Sequence, residues 1–76
     1  MNIQRRKAIQ ALAEQAQTLC DAIQDILDEE QEYYDNMPEG LQQGDKGSIA
    51  SDAIDSLAYA VSNLEDAIAN LEAAAE

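Results

Sequence analysis

The stretch DAIQDILDEEQEYYD, Asp21 to Asp35, carries seven carboxylates, no basic residue and an apolar seam at helical spacing. Working back from it, Ile9, Leu12, Ala16, Leu19, Ile23, Ile26, Glu30 and Tyr33 follow alternating steps of three and four. With Ile9 as heptad position a, every a and d place is apolar except Glu30, which is the pattern of a sustained helix. Two outer rows repeat as well: Gln10, Gln17, Gln24 and Gln31 at b, and Glu14, Asp21, Asp28 and Asp35 at f. Ala13, Cys20, Leu27 and Tyr34 at e make the apolar face wider than a two-helix seam needs.

Downstream, NMPEGLQQGDKGS (Asn36 to Ser48) breaks the pattern. Proline disfavours a helical residue before it, so Asn36 and Pro38 stop the helix. Gly40, Gly44 and Gly47 permit left-handed or tight turns. Ser48 is the expected N-cap of a second helix, with Ser51 and Asp52 as competitors. That helix carries the seam Ala50, Ile54, Leu57, Val61, Leu64, Ile68, Leu71 and Ala75. Beside it runs an alanine row, Ala53, Ala60, Ala67 and Ala74, which either lets a neighbouring backbone approach or simply favours helix.

The expected fold is therefore all-α: residues 1–76 form one antiparallel two-helix hairpin, coiled-coil-like. Its first helix covers about residues 3–35, its turn 36–47 and its second helix about residues 48–75. Matching a to d layers pairs Ile9 with Leu71, Ala16 with Leu64, Ile23 with Leu57 and Ile26 with Ile54, and sets the two chain ends side by side. A register slipped by seven leaves the first ten residues unpaired. In the preferred register Glu30 faces small Ala50 near the tip and must reach water, because a buried unpaired carboxylate is costly. The wide apolar faces predict a homodimer, two hairpins packing into a four-helix bundle, or a partner's helix doing the same.

Charge is lopsided, with 16 Asp and Glu against 4 Lys and Arg and a net charge of -12. Such a chain repels phosphate backbones and anionic membranes, so direct contact with nucleic acid is disfavoured and basic protein surfaces attract it. Asp21, Asp25, Asp28, Glu32 and Asp35 lie on one helical stripe, where like charges one turn apart repel and the helix dipole disfavours acids. Arg5, Arg6 and Lys7 open the first helix, beside Glu72 and Glu76 in the preferred register. Tyr33, Tyr34 and Met37 either cap the core or offer an aromatic contact among acids, Tyr34 being the one expected to face outward.

Catalysis is not expected. The chain has no His, which removes histidine triads and imidazole metal sites. No Gly-rich loop precedes a helix in a phosphate-binding pattern, and no cofactor is implied. Carboxylates spread over one convex helix face do not converge as a dedicated metal site requires. Cys20 is the only cysteine, so no internal disulfide forms, and it reads as a small interface hydrophobe. Neither a signal-peptide pattern nor a membrane span is present, which sets the cytoplasm as the expected location.

The segment DEEQEYYDNMPEGLQ (Asp28 to Gln42), followed by Ser48 and the Ala53, Leu57, Leu64, Ala67 spacing, resembles small acidic proteins of bacteriophages and prophages. In these a DEEQE-Y-DNMPE-L stretch joins two helices. The resemblance covers about half the chain and brings no established activity. It implies a mobile-element setting, the cytoplasm of a host bacterium, in which such proteins bind host machinery. Two functions are then in view. One is an inhibitor that mimics nucleic acid on a basic host protein, through Asp21, Asp25, Asp28, Glu29, Glu32, Tyr34, Asp35 and Glu39. The other is an assembly module whose apolar faces carry the function while the acids keep it soluble.

Overall fold

A computed structural model describes all 76 residues and is entirely helical. Helix α1 (Ile3–Asp35) and helix α3 (Asp45–Ala74) run antiparallel, joined through a single short turn of helix, α2 (Glu39–Gln42). The molecule is a rod, 58 × 14 × 13 Å between Cα extremes. Helix α1 starts where Asn2 accepts a hydrogen bond from the Arg5 backbone N–H at 2.8 Å, satisfying one of the free donors of the first turn. It stops at Asn36, whose N–H still reaches the Glu32 carbonyl at 3.0 Å before Pro38 turns the chain.

The connection differs from a plain turn over 36–47. Leu41 and Gln42 donate to the Pro38 carbonyl and close α2, and the Gln42 side chain donates to the Tyr34 carbonyl at 2.8 Å. That bond ties α2 onto the end of α1. Nor does Ser48 cap the second long helix. Gly44 occupies the cap position in extended backbone, and the Ser48 N–H donates to the Gly44 carbonyl at 3.0 Å, already inside α3. The glycines are not needed for left-handed backbone, since none has a positive φ. Gly47 serves a different purpose: a Cβ there would collide with the backbone of Gln42. Its missing side chain lets the first turn of α3 press against the end of α2.

The seam also departs from expectation. Helix α3 uses its expected rows: Ala50, Val61, Ile68 and Ala75 are buried, with Ile54, Leu57, Leu64 and Leu71 half-buried. Helix α1 does not. It buries Ala13 and Cys20 and half-buries Ile9, Ala16, Ile23, Leu27 and Tyr34, so its a and e rows face α3. The d row is left out, with Leu12, Leu19, Ile26 and Tyr33 each 51–54% exposed. Steps of three and four describe an a/d and an a/e seam equally well. The two differ by a rotation of α1 of about 50° about its own axis, at 3.6 residues per turn. Ala13 and Cys20 decide between them, because small side chains let the two backbones approach.

This rotation takes Ile26, 54% exposed, out of its predicted pairing with Ile54, while Ile9, Ala16 and Ile23 of the a row stay on the seam side. Cys20, Val61 and Ile68 form the centre, with Ala16, Ile23, Leu27 and Leu64 packed around them. At the far end, Ala75 and Glu76 border a hollow together with Gln10, Ala13 and Glu14. The N-terminal turn runs past α3, with Ile3 67% exposed. Arg6 is half-buried, its Nε without a hydrogen-bond partner. Near the tip, Glu30 is half-buried beside Ala50, as expected, and shares a hollow with Tyr33, Lys46 and Ala53.

The glycine contacts give a paired test by thermal or denaturant unfolding. Gly47→Ala meets rigid backbone and should lower stability by about 2 kcal/mol. Gly40→Ala meets nothing within 4 Å and should be neutral or stabilising by up to about 1 kcal/mol.

Candidate partner-binding surfaces

The acidic stripe is built by the heptad itself. Positions c and f of α1 lie opposite the seam, so Asp21, Asp25, Asp28, Glu32 and Asp35 are all exposed on one side of the rod. The glutamine row explains how the chain tolerates them. Gln17 donates to Asp21 at 3.0 Å, Gln24 to Asp28 at 2.9 Å and Gln31 to Asp35 at 2.9 Å. Each amide neutralises no charge but gives a carboxylate a fixed donor one turn back, worth a few tenths of a kcal/mol. No basic residue lies in the last turn of α1, so the dipole remains uncompensated there.

The remaining proposed contacts do not join this stripe. Glu29 is exposed but lines a hollow with Ile26, Glu30 and Tyr33, on the apolar flank. Glu39 is exposed on α2, beyond the end of α1. The tyrosine expectation is reversed: Tyr34 is half-buried at an e position, whereas Tyr33 at d is 52% exposed. The same rotation of α1 that leaves the d row out carries Tyr34 under α3.

A second surface was not anticipated by the a/d reading. Leu12, Leu19, Ile26 and Tyr33 form one continuous row on α1. Tyr33 shares its hollow with Ala53 and Ile49, which places the α3 alanine row on the same side of the rod. The opposite flank carries Gln17 against Glu65 and Glu72. The rod is thus two-sided: one side largely apolar, with Glu29, Glu30 and Lys46 near the tip, the other acidic. The signal for this was present in the three apolar rows of α1, of which a hairpin can bury only two. Left half-exposed, each of the four large side chains forgoes roughly 1 kcal/mol of burial.

No three carboxylates or thiols are arranged to hold a metal ion, and no helix is long and apolar enough to cross a membrane. Cys20 is buried, and its Sγ donates weakly to the Val61 carbonyl at 3.9 Å. Burial, then the charges of Glu65 and Asp21, push its thiol above the usual range. No protein-family model, curated protein or solved structure matches the chain.

The cysteine supplies a measurement of seam integrity. Since the thiolate is the nucleophile and its formation is disfavoured, alkylation of folded Cys20 at about pH 8.5 should be far slower than that of a free thiol. Denaturant should restore the ordinary rate. Rapid alkylation of the native chain would show that α1 and α3 are not packed at this level.

Proposed function

We infer that this protein is a small acidic binding module, a homodimeric four-helix bundle that occupies a basic nucleic-acid-binding surface of a host protein by mimicking nucleic acid. The observation behind this reading is the exposed carboxylate stripe from Asp21 to Asp35. It extends about 21 Å at 1.5 Å per residue. Five charges over that length are one per about 5 Å, a linear array of like charge somewhat sparser than the one per about 3.4 Å of a nucleic-acid strand. The stripe is held on a stiff helix and ordered by the glutamine amides, which lowers the cost of fixing it against a partner. Exposed Glu39 adds a separate negative charge on α2, beyond the end of α1, whereas half-buried Tyr34 is withdrawn from the contact.

The resemblance of the turn to phage and prophage proteins supports the cytoplasm of a host bacterium as the place of action. It also supports a restriction, recombination or CRISPR-type nuclease as the target. Complexes of this kind gain most of their attraction from charge and weaken steeply with salt. The alternative, an assembly module with solubilising acids, is favoured by the exposed apolar side and predicts partners indifferent to the stripe.

Replacing Asp25, Asp28 and Glu32 by Asn, Asn and Gln tests the reading. Stability should rise by up to about 1 kcal/mol as like charges one turn apart are removed. Affinity for a basic nuclease target, measured by calorimetry at two salt concentrations, should fall by at least about tenfold, with a shallower salt dependence. Unchanged affinity would leave the assembly reading standing instead.

A further inference from the structure

We propose that the apolar side of the rod is the interface between two copies of this chain, with each row of large side chains seated on the alanine row of the other copy. This rests on the homodimer reading above and names its surface. Three observations lead there.

The first is area. The chain exposes 5511 Å², whereas a compact monomer of 8.3 kDa exposes about 4600 Å². The excess is about 900 Å². One face of a rod 58 Å long and 14 Å wide has a footprint of about 800 Å², which is what each partner contributes to a standard specific interface.

The second is self-complementarity. The large row and the alanine row share a seven-residue period and lie level with one another, as Tyr33 and Ala53 do in their common hollow. A half-turn about the long axis of the bundle carries one hairpin onto the other. It also sets Leu19 over Ala67, Ile26 over Ala60 and Tyr33 over Ala53 of the second copy. Large faces small at every level, in both directions, as a two-fold interface requires.

The third is charge. A basic partner would be drawn to the acidic side, not to this one. A second copy carries the same charge of -12, yet in this arrangement both acidic stripes point outward, on opposite sides of the bundle. The self-repulsion is then long-range and screened by salt.

Light scattering and sedimentation provide the test. The wild-type chain should show twice 8.3 kDa at micromolar concentrations. Salt should leave self-association unchanged or tighten it, the opposite of its effect on a charge-driven complex. Leu19→Glu with Ile26→Glu should weaken self-association by on the order of 100-fold or more while helical circular dichroism persists, since neither residue lies in the hairpin seam. In a Cys20→Ala chain, an Ile26→Cys variant mixed with an Ala60→Cys variant should oxidise to a mixed disulfide dimer, and neither alone should do so readily. That experiment remains decisive if the glutamate variant fails to fold. A wild-type monomer at hundreds of micromolar, a dimer unaffected by the glutamates, or absence of the mixed disulfide would overturn the interface. Loss of stripe-dependent binding with the dimer intact would instead count only against nucleic-acid mimicry.

Discussion

The structure depends on how closely α1 and α3 can approach. Ala13, Cys20, Ala50 and Ala75 are buried side chains no larger than a thiol, and Val61 and Ile68 fill the spaces between them. A seam of this kind brings two backbones together and supports many dispersion contacts per unit length, but it removes little apolar area from water. Gly47 extends the same constraint around the corner, where a single Cβ would force α3 away from α2. Closeness, not bulk, holds the hairpin.

The choice has a direct consequence at the surface. Turning the small e row of α1 inward turns the large d row outward, because one helix cannot present three rows to one partner. The side chains that would make the best core, Leu12, Leu19 and Ile26, are therefore the ones left half in water. A hairpin packed on these instead would be fatter and better buried, but would leave Ala13 and Cys20 exposed. The observed arrangement trades internal burial for a largely apolar side, charged only near the tip.

Acidity is organised by the same geometry. The b and f rows of α1 lie one turn apart along the surface, so three of the four b-row glutamines, Gln17, Gln24 and Gln31, meet a carboxylate at the next f place. Repulsion among the acids is thereby ordered, though not removed. Most acids are kept away from the side where a second copy would sit, with Glu29 and Glu30 as the exceptions near the tip. Segregating apolar and acidic rows on opposite sides leaves one small chain with an apolar side for the proposed second copy and a dense negative surface facing away from it.

The heptads made much of this legible in advance: two long helices, the end of α1 at Asp35, the antiparallel hairpin, the exposed stripe and the position of Glu30 beside Ala50. Those features follow from periodicity and charge, which are local properties of a chain. The short helix α2, the start of α3 at Asp45, the rotation of α1 and the exchange of Tyr33 for Tyr34 were not legible. Steps of three and four describe an a/d and an a/e seam alike, and a glycine reads the same whether it serves a turn or a close contact. Sequence by itself determined which residues could face a partner helix. Only the packing of α1 on α3 decided which of them do, because that choice depends on how near two backbones come, and no single helix carries that distance.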